Sequence, residues 1–277
     1  MFQKFITNII FNLKKKKYIF SPVFIIACGR SGTTILGETL SRHPKIKYLN
    51  ERRDLWHKAY SNFDIWNKNT QNPKIFANEK DIVSKKNNIL QDLFFREQVL
   101  GSATILLEKL PINNFRLDFL NASFPNARYI YLTRNGLEVS KSIEKKIVKN
   151  NWYTGNKYNL LKEYAMLKNI NFSPKNNFEK GLWEWKLSIT ESNNFFKKMN
   201  RNKFIHLSYQ DLIENPNNNL KSIFHFLEIE KDESLIEKIS LKIKRNSPKE
   251  NEISDDRIKK IGGEILEKTI NNTYAPF

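Results

Sequence analysis

The stretch PVFIIACGRSGTTIL, residues 22–36, joins an apolar run to a short segment rich in glycine and hydroxyl side chains. The apolar run predicts a buried strand, and the pattern from residue 33 onward predicts a helix. Gly29 and Gly32 permit a tight turn that directs backbone N–H groups to one point, where a helix N-terminus adds positive partial charge. The loop also offers side-chain donors at Arg30, Ser31, Thr33 and Thr34. It therefore predicts a phosphate site, although a purely structural turn is the alternative.

Two better-known loops do not fit this stretch. A nucleotide triphosphatase loop has the pattern G-x-x-x-x-G-K-[ST], whereas here the glycines are three apart and Thr33 stands in place of the lysine. A serine hydrolase elbow, G-x-S-x-G, fails because Thr33 replaces its second glycine. The loop keeps a phosphate cradle without the usual lysine.

Strand and helix patterns alternate along the rest of the chain. Short β-rich runs occur at 23–27, 104–107, 128–132 and 204–207. Helical patterns occur at about 33–42, 113–123, 136–148, 180–198 and 218–227. This alternation predicts an α/β fold with a parallel sheet. Segments 52–100 and 149–178 interrupt the pattern and are interpreted as inserts that shape a substrate site within one domain spanning 1–277.

Composition limits the classes of protein and partner. Hydrophobic residues make up 40% of the chain, which excludes a disordered protein. The net charge of +18 favours polyanionic partners, such as nucleic acid, an anionic membrane or a multiply phosphorylated ligand, unless the lysines merely decorate the surface. The single cysteine, Cys28, excludes an internal disulfide and fits a reducing compartment, so we expect a cytoplasmic protein.

The N-terminal segment MFQKFITNIIFNLKKKKYIF, residues 1–20, allows two interpretations. Its apolar residues fall at helical spacing and precede four lysines at 14–17, which is typical of an interfacial helix with a polybasic anchor. The alternative, which we prefer at this point, is an ordinary first helix that packs on the domain. Peripheral membrane contact through residues 1–20 stays open.

Four blocks of the chain, in order, resemble the sulfotransferases that use 3′-phosphoadenylyl sulfate (PAPS). GRSGTT is similar to their 5′-phosphosulfate loop, and RHPKIKYLNE to their HP turn leading to an acidic residue. EKLPINNFRLDFLNASFPNARYIYLTRNGLEVSKSI and YQDLIENPNNNLKSIFHFLEI are similar to two further blocks. The nearest resemblance is to the bacterial group related to tyrosylprotein sulfotransferases. It implies a P-loop-type, three-layer α/β/α sulfotransferase fold with helical inserts.

The resemblance assigns cosubstrate contacts to particular positions. It implies that the 5′-phosphosulfate is held by Arg30, Ser31, Gly32, Thr33 and Thr34. It implies a 3′-phosphate site at Arg134 and Ser142, and an adenine contact at Tyr209. The tail segment KIKRNSPKE is either a solvated loop or a cover over the nucleotide, through Arg245, Ser247 or Lys249.

Sulfuryl transfer needs a base for the incoming hydroxyl and a positive charge at the leaving group. Glu51, 21 positions after Arg30, matches the catalytic glutamate of the tyrosylprotein type; a surface glutamate paired with Arg52 or Arg53 is the alternative. Lys109 matches the lysine that supports the bridging oxygen, with Arg30 as a further catalytic group. Because this lysine can supply the needed cation, we predict no metal.

The sequence therefore predicts a PAPS-dependent sulfotransferase that acts on a hydroxyl (or amine) of a carbohydrate, lipid or peptide. No nucleic-acid partner is expected. Two alternatives remain: a P-loop nucleotide kinase, and a non-catalytic basic module that binds anions. The inserts match no known pattern, so the acceptor stays open.

Overall fold

A five-stranded sheet in which all pairings are parallel lies at the centre of the described part of the chain. The computed structural model describes residues 2–150, 152–230, 232–241, 243 and 255–275. The strands are β1 (Pro22–Ile26), β2 (Ile46–Asn50), β3 (Ile105–Lys109), β4 (Arg128–Thr133) and β5 (Phe204–Ser208). Their spatial order is β2-β3-β1-β4-β5, so β2 and β3 lie on one side of the central strand β1, and β4 and β5 lie on the other side.

Helices cover both faces of this sheet. They are α1 (Phe2–Lys14), α2 (Thr33–Leu40), α3 (Arg53–Ala59), α4 (Ser84–Leu100), α5 (Leu117–Ser123), α6 (Gly136–Val148), α7 (Lys157–Leu167), α8 (Asn177–Phe196), α9 (Tyr209–Glu214), α10 (Pro216–Phe226), α11 (Glu233–Ser240) and α12 (Asp256–Ile270). In the described part of the chain, no helix combines the length and apolar character that crossing a membrane requires.

Strand β1 shows why three layers form. All five of its residues are buried, as expected for a central parallel strand covered on both faces. Phe24 and Ile26 contribute to a core with side chains of α3–α8 and α12. Val23 and Ile25 point the other way, into a core with α2, α9, α10 and α11. The α/β architecture with a parallel sheet agrees with the prediction.

The boundaries of the predicted elements are close to those observed, with one strand missed. All four predicted strands are present, but β2 was not predicted because this edge strand is only partly buried and carries Lys47 and Tyr48. The helix predicted at 113–123 is divided into a 3₁₀ segment, Pro111–Arg116, and α5.

Segment 52–100 contributes to the core as well as to the surface. Trp56, Phe63 and Phe94 are fully buried within it. Arg116 ties the segment to the chain after β3, since its buried guanidinium donates to the carbonyl oxygens of Phe63 and Ile75 at 2.9 and 3.1 Å. This part of the chain is therefore integral to the fold.

Candidate active site

The predicted site residues that the structure describes converge at one edge of the sheet. Parallel strands bring their carboxyl ends together, and ligands of open α/β sheets bind outside these ends. The candidate residues occupy this position after successive strands: Arg30 after β1, Glu51 after β2, Lys109 at the end of β3, Arg134 after β4 and Tyr209 after β5.

The loop between β1 and α2 has an unusual backbone. Arg30 has φ 71° and Gly32 has φ 94°, both in the left-handed region. Glycine accepts this conformation freely, but a long side chain such as that of Arg30 seldom adopts it. Ser31 and Thr33 are buried, whereas Arg30 and Thr34 are exposed. The loop therefore directs the guanidinium outward while fixing the backbone that turns into α2.

Asn114, which the sequence analysis did not single out, anchors the start of this loop. It lies in the 3₁₀ segment after β3 and is 2% exposed. In the amide orientation that satisfies its hydrogen bonds, Nδ2 donates to the carbonyl oxygen of Ala27 at 2.9 Å and Oδ1 accepts from the Cys28 N–H at 3.2 Å. Its signal in the sequence is weak, because only the folded chain places residue 114 beside residues 27 and 28.

Arg30, Arg134 and Ser142 meet above the loop. Arg30 Nε donates to Ser142 Oγ at 3.1 Å, and Arg134 Nη1 donates to the Arg30 carbonyl oxygen at 3.0 Å. Arg30 is exposed as a whole residue, but its guanidinium is partly buried among its neighbours. This burial lowers the pKa of Arg30, and the charge of Arg134 lowers it further. Glu138 bonds Arg134 at 2.7 Å and holds its side chain in place. Two neighbouring guanidinium groups with a hydroxyl form a donor set suited to an anion.

Two aromatic rings lie against the glycines of the loop. A Cβ at Gly32 would lie 2.5 Å from the Tyr209 ring, and a Cβ at Gly29 would lie 2.5 Å from the Trp152 ring. The Tyr209 ring also stacks with the Arg134 guanidinium, whose Cζ is 4.2 Å from the ring centroid. Both glycines thus permit close approach of an aromatic side chain, and Tyr209 is placed beside the Arg134 cluster.

Glu51 and Lys109 form the second part of the site. Lys109 is 1% exposed, and its Nζ donates to Glu51 Oε1 at 2.6 Å and to Thr34 Oγ1 at 3.2 Å. The Glu51 side chain is 43% exposed, so one buried ammonium links an accessible carboxylate to the start of α2. Glu51 also has φ 51°, and its N–H donates to the Lys109 carbonyl oxygen at 3.0 Å. Arg52 pairs instead with Asp54 at 2.7 Å.

Glu108 lies one residue before Lys109 and therefore on the other face of β3. Its carboxylate is buried and accepts from Trp56 Nε1 at 3.0 Å and from Asn113 Nδ2 at 2.8 Å. Burial raises its pKa to about 7, against the opposing effect of these hydrogen bonds and of the Lys109 charge. Glu108 therefore fixes the end of β3 from the face opposite Lys109, through its hydrogen bonds with Trp56 and Asn113.

An open cleft extends from Glu51 along α3 and the segment that follows it. Besides Glu51 it is lined by Arg53, Asp54, His57, Lys58, Asp64, Trp66 and Asn67. The Arg53 guanidinium lies over the Trp66 ring, with Cζ 5.1 Å from its centroid. The cleft wall is thus charged and polar, with one aromatic side chain.

Some predictions are not decided by this geometry. Arg245, Ser247 and Lys249 lie outside the described residues. Among the residues that are described, no group of three or more His, Cys, Asp or Glu is arranged to hold a metal ion. The absence of a metal requirement stays a prediction.

Comparison with known proteins supplies the family. Residues 22–233, more than half of the chain, match the model of the "Sulfotransferase family". Sulfotransferase STF9 from Mycobacterium avium is 12% identical, with 95% of this chain and 81% of that chain covered and a TM-score of 0.53. The sulfotransferase domain from the Synechococcus PCC 7002 olefin synthase is 18% identical, with 94% and 90% covered and a TM-score of 0.51. Mouse sulfotransferase SULT7A1 complexed with PAP is 15% identical, with 92% and 79% covered and a TM-score of 0.41.

No curated protein sequence matches this chain significantly. The two structures with the higher TM-scores confirm the predicted fold, and the family match confirms the resemblance drawn from the four blocks.

Proposed function

The chain belongs to the sulfotransferase family, and we propose that it transfers the sulfuryl group of PAPS to a hydroxyl (or amine) of an acceptor, with Glu51 as the general base. One observation carries this proposal. The Arg30–Arg134–Ser142 cluster and the Glu51–Lys109 pair adjoin the two ends of the same loop, Arg30 and Thr34.

The residues of the loop fit a nucleotide with two separate phosphate groups. Arg134 and Ser142 would bind the 3′-phosphate, and the backbone from Arg30 to Thr34 would bind the 5′-phosphosulfate. An anion here would relieve the repulsion between Arg30 and Arg134, which the lowered pKa of Arg30 reflects in part. The Tyr209 side chain is 2% exposed and lies against both Gly32 and Arg134, so we assign it to holding Arg134 in place, and its contact with the adenine stays a prediction.

In the proposed reaction, the sulfuryl group moves from PAPS to the acceptor in a single displacement step, in which Glu51 and Lys109 have separate roles. The acceptor oxygen forms a bond to sulfur while the bond from sulfur to the bridging oxygen breaks, and the acceptor proton moves to Glu51. Lys109 Nζ lies within hydrogen-bonding distance of both Glu51 and Thr34, so its charge can neutralise the oxygen that leaves. Arg30 adds a second cation beside the loop.

The cleft next to Glu51 supports a polar acceptor. An apolar acceptor would bury Asp54, Asp64 and Lys58 without replacing their water, which is unfavourable. A hydroxyl-rich molecule can bond these groups and also contact the Trp66 ring. We therefore favour a carbohydrate or a polar peptide among the predicted acceptors, and a nucleic acid is not required.

The first test separates the proposal from a kinase. Adenosine 3′,5′-bisphosphate should raise the melting temperature more than ATP with Mg²⁺ does, because ligands stabilise the folded state that binds them. Arg134→Met should remove most of this increase. A larger increase with ATP and Mg²⁺ would favour the P-loop kinase.

The second test separates an enzyme from a non-catalytic anion-binding module. Glu51→Gln and Lys109→Met should each reduce sulfate transfer by about 100-fold or more, the scale of general-base and electrostatic contributions. Both variants should keep the thermal shift with adenosine 3′,5′-bisphosphate. Glu163→Gln, on the exposed surface of α7, is the matched control. Transfer at the wild-type rate by Glu51→Gln would exclude Glu51 as the base.

The expected location also remains part of the proposal. Cys28 is buried and is a free thiol, and burial raises its pKa. A chain with one unreactive thiol places no demand on an oxidising compartment, which is in keeping with the cytoplasm.

A further inference from the structure

Helix α1 carries a partly exposed apolar stripe along one of its sides. Ile6, Ile9, Ile10 and Leu13 have exposed fractions of 40%, 43%, 39% and 72%. Their spacing places them along one face of a helix. The stripe is continuous over two turns, which distinguishes it from an isolated exposed side chain.

The other side of α1 packs on α4. Phe11 is 6% exposed and lies edge-on to Phe95, with ring centroids 6.0 Å apart. The Arg96 guanidinium lies over the Phe11 ring at 4.5 Å and also donates to Asn8 Oδ1 at 2.6 Å. The helix is therefore held by one face while the stripe stays available. The packing interpretation and the interfacial interpretation of residues 1–20 describe different faces of the same helix.

The stripe ends in a cluster of positive charge. Residues 1–20 contain five lysines and no acidic residue, and three of these lysines form the 3₁₀ turn Lys15–Lys17. All three are exposed, and in the described part of the chain none of them forms an ion pair. Ile19, two residues after Lys17, is 88% exposed.

We propose that this face of α1, with Lys15–Lys17 and Ile19, binds the surface of an anionic lipid bilayer. The apolar stripe would enter the boundary between headgroups and acyl chains, and the lysines would contact the anionic headgroups. A second copy of the chain fits less well, because its own residues 1–20 contain no acidic side chain that could pair with Lys15–Lys17. An anionic bilayer matches both the positive charge of Lys15–Lys17 and the apolar side chains of the stripe.

The experiment uses the full chain and vesicles, without PAPS or acceptor. Wild-type protein should co-sediment with vesicles that contain about 30% phosphatidylserine at least tenfold more strongly than with pure phosphatidylcholine, since each lysine near such a surface contributes roughly 1 kcal/mol. The double variant Ile9→Glu/Leu13→Glu should lose at least tenfold in binding. Lys16→Ser/Lys17→Ser should lose about 30-fold on anionic vesicles and little on neutral ones.

Matched variants control for the change in charge and exposure. Leu167→Glu alters an apolar residue of α7 that is 67% exposed, and Lys162→Ser/Lys197→Ser removes two exposed lysines elsewhere. Both should bind anionic vesicles like the wild type. All substituted side chains are exposed, so the melting temperature should stay unchanged.

Three results would overturn the proposal: no wild-type binding to anionic vesicles, equal binding by the Ile9→Glu/Leu13→Glu variant, or self-association through this face without vesicle binding. Since no step requires sulfate transfer, each of these results leaves the proposed enzymatic activity unaffected. A protein that binds vesicles but does not transfer sulfate would contradict only the proposed function.

Discussion

At the scale of single residues, the site is fixed by backbone conformations that its side chains do not favour. Arg30 and Glu51 both have positive φ, a conformation that costs about 1–3 kcal/mol for residues of this kind. Hydrogen bonds compensate at both places: the Arg30 carbonyl oxygen accepts from Arg134, and the Glu51 N–H donates to the Lys109 carbonyl oxygen. Each strained residue is thus held by a partner that also belongs to the site.

Glu108 gives a pH-dependent stability that can be measured. Its pKa is raised from an ordinary 4.5 to about 7 in the folded protein, so the folded state holds this proton more tightly than the unfolded state. The stabilisation is complete below pH 4.5 and is lost as pH rises to about 7. Relative to wild type, Glu108→Gln should gain about 2–3 kcal/mol of unfolding free energy between pH 5 and pH 8, given 1.36 kcal/mol per pKa unit.

Urea unfolding at both pH values provides the measurement, and only the difference between them matters. Any constant effect of the glutamine on packing or hydrogen bonding cancels in that difference. Glu163→Gln removes an exposed carboxylate of α7 and is the matched control. If Glu108→Gln differed from wild type by the same unfolding free energy at both pH values, the pKa of Glu108 would not be raised in the folded protein.

At the scale of elements, a feature could be predicted when it depends on residues close together in the sequence, and it was missed when it depends on contacts between distant residues. The unit formed by β1, its loop and α2 is encoded locally, by an apolar run followed by glycines and hydroxyl residues, and it could be predicted. Strand β2 depends on pairing with β3, which its mixed sequence does not show. The anchors Asn114 and Arg116 act on segments 41 or more residues away, so no local pattern identifies them.

The contact between α7 and α8 beneath the loop is such a long-range feature. Lys157 and Glu184 form an ion pair of 2.7 Å whose side chains are 3% and 4% exposed. Glu184 also accepts from Trp152 Nε1 at 2.8 Å, and the Trp152 ring lies against Gly29. Segment 149–178 is therefore joined to the loop between β1 and α2 through one buried carboxylate, Glu184.

Removing one charge of this pair should destabilise the protein more than neutralising both. Lys157→Met should lower the free energy of unfolding by about 3–5 kcal/mol, because it leaves the Glu184 carboxylate buried without a counter-charge. The double variant Lys157→Met/Glu184→Gln keeps an acceptor for Trp152 and should recover roughly half of that loss. Urea unfolding of the two single variants and the double variant gives the coupling energy, and strictly additive effects would show that the pair is not coupled.

At the scale of the whole molecule, the parallel sheet explains why residues distant in sequence could be assigned to one site. Of the candidates that lie at strand ends, all but one were recognised next to a predicted strand, and parallel strands end at a common edge. Glu51 is the exception, since its strand was missed and its place rested on the resemblance alone. The cleft wall could not be predicted, because α3 and the irregular chain around Asp64 and Trp66 take their positions from the core around Trp56 and Phe63.

The net charge of +18 should make nucleotide binding depend on ionic strength. Adenosine 3′,5′-bisphosphate carries two phosphate groups and would bind near Arg30 and Arg134. Its attraction therefore includes direct contacts with these two cations as well as the long-range field of the protein. Raising NaCl from 0.1 to 1 M shortens the Debye length from about 10 Å to about 3 Å, which screens the field more than the direct contacts. The dissociation constant should therefore rise by about tenfold, mainly through slower association. Adenosine, which lacks phosphate, should bind weakly, and its dissociation constant should change little with salt. An equal effect of salt on both ligands would show that salt acts on the folded protein and not on phosphate binding.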